Sequence, residues 1–337
     1  MQTNNLFNKS GKVSNIYMDK IVFNYLGVPN KQILYGPGIG RDAAALKWPN
    51  DKILIVKSDP ITGTIGNIGR YAVIINANDI AVMGAIPKYF MSVLMLPLNS
   101  SIEDLEAICK DIDQAAKELN ISVIGGHTEI TRAIKQPIVC GSMIGETTSD
   151  GIITPQSKPG DKLIMTKYAA IEGTAILAWD KENSLNKLID EDTLKKAKSL
   201  IGELSILKEA QLVLEIGGIT AMHDPTEGGI LNGIFEICIA ANVGANIYEK
   251  KIPITPETSK LCQILNLNPL KLISSGTLVI TAKSEYSDRI IATLHSNGIP
   301  ATCIGEIKQE KTVTLHRTDG TQEIIAEQNQ DQLWNVA

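Results

Sequence analysis

The sequence is poor in the residues on which several kinds of chemistry depend. It has four histidines in 337 residues. None stands at ligand spacing from His127, which therefore reads as a hydrogen-bonding residue rather than a zinc ligand. Its five cysteines (Cys109, Cys140, Cys238, Cys262 and Cys303) are scattered, odd in number and never in C-x-x-C spacing. That argues against a zinc knuckle and a disulfide framework, and the thiols read as reduced and mostly buried. Basic residues are not in excess: 32 Lys and Arg stand against 37 Asp and Glu, a net charge of −5. No global field gathers nucleic acid or anionic lipid, so neither nucleic acid nor membrane is an expected partner, and a phosphate-bearing ligand needs a local site. Long apolar runs are missing too. The longest, Tyr71 to Leu98, is interrupted by Asn76, Asn78, Asp79, Pro87 and Lys88, which a bilayer span would not tolerate. The polar start Gln2-Thr3-Asn4-Asn5 has no apolar h-region after it, so no secretory signal is expected and the cytoplasm is the expected compartment. G-x-S-x-G is absent, which leaves a Ser-His-Asp hydrolase unsupported.

What is present fits a globular α/β protein. Apolar residues make up 44% and charged residues 20%, ordinary usage for a packed core, and the length suggests two domains. Ser100-Ser101-Ile102-Glu103 offers a capping box, and Ile102, Leu105, Ile108, Ile112, Ala115 and Leu119 continue at helical spacing until Asn120. Leu194 to Leu212 carries the same period and predicts one long surface helix. Strands are expected at 33–35, 53–57, 91–96, 121–124 and 138–144, then at 162–166, 278–282 and 302–307. A hairpin is expected to join 313–316 to 323–326 across Thr318-Asp319-Gly320. Pro155 to Gly160 is the best linker, dividing the chain into 1–154 and 155–337.

Five segments could carry chemistry. Gly36-Pro37-Gly38-Ile39-Gly40-Arg41-Asp42 follows a strand, but it lacks the lysine of a Walker loop and the third glycine of a dinucleotide fingerprint. Either its backbone approaches an anion or it simply reverses the chain. Asp59, in Ser58-Asp59-Pro60, sits at a strand end, where open α/β sheets present ligand groups and where Asx turns also form. The buried helix expected over Gly69–Ala85 carries Asn76, Asn78 and Asp79. Asn76 and Asp79 share a face and project together toward a metal, a ligand or a neighbouring backbone. Gly125-Gly126-His127-Thr128-Glu129 reads as a polar turn after a strand. His223-Asp224-Pro225-Thr226-Glu227-Gly228-Gly229 opens a helix, a position suited to phosphate or, through Thr226 or Asp224, to a plain cap. Several aspartates on separate turns, without Cys/His clusters, suit Mg²⁺ and polyphosphate better than a transition metal.

In order and spacing, GPGIGRDAA, SDP, NDIAVMGAIP, GGHTE, HDPTEGG and SSGTL resemble the superfamily of aminoimidazole ribonucleotide (AIR) synthase, HypE, selenophosphate synthetase and thiamine-monophosphate kinase. NDIAVMGAIP, HDPTEGG and the early Gly11-Lys12-Val13 look most like the HypE branch. The resemblance implies a two-domain α/β (α+β) architecture: an N-terminal mixed sheet with helices forming a dimeric barrel-like interface, and a C-terminal α/β sandwich. It implies ATP and Mg²⁺ as cofactors, a homodimer through the N-terminal domains, and phosphoryl transfer to an oxygen of an amide-type, small-molecule or partner-borne acceptor. Asp42, Asp59 and Asp79 would hold metal. Gly38, Gly40, Asn78, Asp79, Thr128, Gly228 and Gly229 would hold the nucleotide. Asp42, Asp59 and Asp224 would be catalytic, with Asp224 on the acceptor side. Met1 to Lys12 would be either a strip closing over ATP or a free terminus. Arg41, His127 and Glu227 depart from the family pattern. The chain ends Leu333-Trp334-Asn335-Val336-Ala337 where HypE proteins end P-R-I-C, so a HypE-type relative without the substrate-carrying cysteine is expected. Two alternatives are a catalytically silent nucleotide-binding dimer, as sensor or scaffold, and AIR synthase or thiamine-monophosphate kinase proper.

Overall fold

Two twisted sheets, each built from one half of the chain, meet along a single buried helix. The computed structural model describes residues 15–326, 328 and 330–336; the N-terminal strip Met1–Lys12 and Gly11-Lys12-Val13 lie outside the described residues. After a short helix α1 (Asn15–Lys20), the first sheet is formed by β1 (Ile33–Tyr35), β2 (Ala44–Trp48), β3 (Lys52–Ile61), β4 (Ile86–Pro97), β5 (Ser122–Thr131) and β6 (Ile138–Thr148). Their order is β1-β2-β3-β6-β4-β5, with β4 and β5 parallel and the other neighbours antiparallel. Helices α2 (Ile68–Val82) and α3 (Ile102–Glu118) complete this half. The second half contains β7 (Lys162–Thr166), α4 (Ile171–Asp180), α5 (Glu182–Leu185), α6 (Glu191–Ser199), α7 (Leu207–Ile216), β8 (Ile219–His223), α8 (Gly229–Ala241) and β9 (Gly244–Tyr248). It ends with α9 (Pro256–Leu265), β10 (Val279–Ala282), α10 (Ser284–Ser296), β11 (Ala301–Lys308), β12 (Val313–His316) and β13 (Gln322–Ile325). These strands order as β13-β12-β9-β11-β7-β10-β8.

Strand alternation sets the second half's layers. Leu163 and Met165 of β7 pack with Ile230, Ile234 and Ile237 of α8, while Ile164 packs with Val213 of α7 and Ile290 of α10. This is an α/β sandwich. In the first half, α2 is apolar nearly all round because it is covered on nearly every side: β3 and β6 beneath it, α3 beside it and α7 of the other half against its end.

Four local expectations are corrected. The capping box forms one residue later than expected: Ser101 Oγ accepts from Asp104 N, and Asp104 returns the bond to Ser101 N. The long helix expected over 194–212 is broken. A 3₁₀ turn at Leu200–Glu203 and a non-helical step through Leu204–Ile206 separate α6 from α7. Ser58-Asp59-Pro60 ends no strand, since β3 runs through it to Ile61, paired with β6. Pro60 is tolerated because β2 pairs only as far as Val56, leaving that edge without a ladder to break. Gly125–Glu129 is likewise strand rather than turn. Gly126 lies where a Cβ would stand 2.0 Å from the Ser92 carbonyl oxygen, so the glycine admits close pairing with β4.

Candidate active site

Period-two alternation along β3 puts Ile53, Ile55, Lys57, Asp59 and Ile61 on one face, the face that α2 covers. The register of helix on strand is fixed by Asn76. Its Oδ1 accepts from Asp59 N (2.9 Å), and its Nδ2 donates to Asp59 O (3.2 Å) and Ala72 O (2.8 Å). Asn76 therefore serves neighbouring backbone. One turn further along, Asp79 meets Lys57: Nζ lies 3.0 Å from Asp79 Oδ2 and 3.5 Å from Asp59 Oδ2. Burial works against the ammonium, but Asp79, Asp59 and Asp42 outweigh it and hold its pKa above the ordinary lysine value. Burial also raises the pKa of Asp79, against the pull of Lys57 and with help from the like charges of Asp59 and Asp42.

Asp42 acts on this cluster through its charge. Its carboxylate pairs with His223 at the end of β8: Nδ1 lies 2.8 Å from Asp42 Oδ2, and Nε2 lies 3.2 Å from Glu236 Oε2 of α8. Burial alone would lower the imidazole pKa. The two carboxylates reverse that and raise it to about 10, so His223 is a buried cation at neutral pH. The Gly36–Gly40 turn rests on the same helix. Gly40 has φ +68°, and a Cβ there would stand 2.5 Å from Glu236 O. Arg41 is spent on its own turn, with Nη1 donating to Gly36 O (3.1 Å) and the guanidinium 4.3 Å from the Tyr35 ring centroid.

Asn78 faces the other way and joins the two halves. Its Nδ2 donates to Leu204 O (2.9 Å) and Asp224 Oδ2 (2.8 Å), and its Oδ1 accepts from Ile206 N (3.1 Å). Gly276 N donates to the other Asp224 oxygen (3.2 Å). Burial raises the Asp224 pKa well above the usual carboxylate range, against the Asn78 hydrogen bond. At the start of α8, Gly228 and Gly229 adopt φ +83° and +68°, and Gly228 N donates to Asp331 Oδ2 at 2.6 Å. A carboxylate of the C-terminal segment thus occupies the positive end of that helix. Between the halves lies a cavity of about 470 Å³, walled by Asp59 to Thr64, Glu172, Thr226, Glu227, Ser275, Asp331 and Trp334. Burial raises the Glu172 pKa to about 7.

Asp59 and Asp79 thus meet at Lys57, Asp42 is held by His223, Asn78 and Asp224 bond across the junction, Gly40 lies against α8, which Gly228 and Gly229 open, and Gly38 stays beside Arg41 in its own turn. Thr128 is not among them. It lies on β5, three strand positions from β3, roughly 14 Å away at ordinary sheet spacing. Magnesium does not fit the donor set as built. No three His, Cys, Asp or Glu side chains among the described residues are placed to hold a metal ion, and Lys57 fills the gap between Asp59 and Asp79. Sequence reasoning missed Lys57, His223, Glu172 and Asp331. Alternation from Ile53 and Ile55 would have placed Lys57 beside Asp59. No local signal pairs His223 with Asp42, 181 residues away.

A six-stranded mixed sheet joined through one buried helix to a seven-stranded α/β sandwich, with acidic and glycine-rich segments at the junction, defines the class. Residues 40–147 match the AIR synthase related protein family's N-terminal domain and residues 158–317 its C-terminal domain, and the chain belongs to that family. Within it, the similarity runs to hydrogenase-maturation proteins. The chain is 33% identical over 266 residues to a Methanocaldococcus jannaschii protein named for hydrogenase expression or formation, covering 77% of this chain and 76% of that one. It is 29% identical over 279 residues to the carbamoyl dehydratase HypE of Rhizobium leguminosarum bv. viciae, covering 80% and 77%. A crystal structure of HypE in complex with ATP superposes with a TM-score of 0.72 at 22% identity, covering 98% of this chain and 99% of that one, which shows the shared fold.

Proposed function

We propose that the protein is an ATP-dependent enzyme that activates an amide-type oxygen by phosphoryl transfer, the reaction class of a carbamoyl dehydratase. In such a reaction the carbamoyl oxygen attacks the γ-phosphorus and the bond to ADP breaks. Two N–H protons are then lost as the C–O bond breaks and phosphate departs, leaving a nitrile. The observation that carries this reading is the meeting of Asp59 and Asp79 at Lys57, with Asp59 on the wall of the cavity of about 470 Å³ that Thr226 and Glu227, just before α8, also line. Chemistry of this kind asks for positioning and charge placement rather than a protein nucleophile. Asp59 borders the cavity directly, while Asn78 fixes Asp224 on the acceptor side. The family name and the HypE relatives support the same reading.

Titration calorimetry with ATP, followed by ADP release with S-carbamoyl-N-acetylcysteine as acceptor probe, tests it. The wild type is expected to bind ATP and release ADP. Asp79→Asn, which removes the partner that fixes the Lys57 ammonium, is expected to slow release by roughly 10–100-fold. ATP binding without turnover on any amide probe would identify a silent binder, and no ATP binding at all would overturn the proposal.

The functional unit in this reading is a homodimer formed by residues 1–154, with 155–337 as the second domain. The outer face of the first sheet carries exposed Tyr89, Met91 and Val93, continued at the bulge in the edge strand β5 by Ile124. A second copy covers this apolar face. Val93→Glu would place a charge at the centre of that contact. Light scattering after gel filtration is expected to show the mass falling from two chains to one, with the far-ultraviolet spectrum unchanged.

A further inference from the structure

We infer that the Lys57 ammonium is the resident cation of the acidic cluster, standing where a divalent ion would otherwise bridge Asp59 and Asp79. The argument is geometric. A magnesium ion shared by two carboxylates sits about 2.0–2.1 Å from each donor oxygen. The space between Asp79 Oδ2 and Asp59 Oδ2 holds Nζ, at 3.0 and 3.5 Å. Ammonium and divalent ion cannot share that space, and at such range their repulsion in a partly buried site is severe.

The backbone that carries the lysine is held in place. Lys57 is on the α2-covered face of β3, and the Asn76 bonds to Asp59 N and O lock that strand's register two residues away. The third carboxylate of the cluster, Asp42, is already held by His223, whose other nitrogen faces Glu236. Two cations, Lys57 and His223, thus answer part of the charge of Asp42, Asp59, Asp79 and Glu236, and Lys57 occupies the place an added ion would take. Phosphate-handling sites usually use carboxylates to hold a divalent ion that offsets the phosphate charge. Here the chain places a covalently attached cation between the two carboxylates.

Manganese binding to the full chain without nucleotide, followed by the electron paramagnetic resonance signal of free Mn²⁺, tests the inference independently of the ATP reading. Wild type is expected to leave Mn²⁺ free. Lys57→Ala and Lys57→Met, checked for folding by circular dichroism, are expected to take up an ion with affinity at least about tenfold higher. Lys57→Ala combined with Asp79→Asn is expected to lose the gained site. A wild-type Mn²⁺ site that Asp79→Asn abolishes overturns the inference, whether or not the lysine variants fold. Folded lysine variants that gain no ion overturn it as well. If the protein fails to bind ATP while the manganese pattern holds, only the proposed function falls.

Discussion

Replacing His223 with leucine is expected to destabilise the protein by about 3–5 kcal/mol, the cost of breaking a buried ion pair from one side. The side chain is 5% exposed and lies between Asp42 and Glu236, so its loss takes the cation from between two largely buried carboxylates. Leucine fills the space without replacing either N–H. The change should appear as a lower thermal midpoint. It should also alter the pH dependence of stability, because the folded-state pKa is raised from 6.5 to about 10. A raised pKa means the folded state holds the proton more tightly than the unfolded chain. The contribution of His223 is therefore complete below about pH 6.5 and is lost as pH rises through about 10. Wild type should lose stability across that window, and His223→Leu should show a flatter profile there. Equal slopes for the two proteins would show that His223 is not the cation between Asp42 and Glu236.

Asn78→Ala is the second large effect, expected at about 2–4 kcal/mol. A single carboxamide satisfies Leu204 O, Ile206 N and Asp224 Oδ2, and its removal leaves three buried polar groups of the second half without that partner. Those contacts bind α2 to the non-helical step between the 3₁₀ turn and α7, so the variant should loosen one half against the other. Limited proteolysis should find new cleavage near residues 200–206 before the thermal midpoint is reached. Asn78→Asp, which keeps an acceptor for Ile206 but faces the Asp224 carboxylate, should be no better than alanine. An alanine variant with wild-type protease resistance would refute the role assigned to Asn78.

Much of this was legible wherever the determining forces are local. Helix α3 and its end at Asn120 follow from spacing and from the left-handed residue there, with φ +55°. Asn76 and Asp79 could be placed on one face of a buried helix by period alone, and the structure spends both on β3. The glycine-rich and acidic segments were legible as segments, but their geometry was not. Gly125–Glu129 and Ser58–Pro60 look like turns because glycine, proline and aspartate favour turns in isolation. They are extended because β4 and β6 offer ladders to pair with. The break between α6 and α7 is of the same kind: the leucine period runs on, but Leu204 and Ile206 give their backbone groups to Asn78. Long-range charge pairs are the least readable from sequence, since Asp42 and His223 find each other only after both sheets have formed.

Two spacings are geared together: Lys57 to Asp59 along the strand, and Asn76 to Asp79 along the helix. Deleting or adding one residue inside either span would turn a carboxylate or the ammonium out of the junction, on the strand to the opposite face and on the helix by about 100°. Chains in which those intervals differ by a single residue should therefore be read as having a different ionic centre, however closely the flanking letters agree.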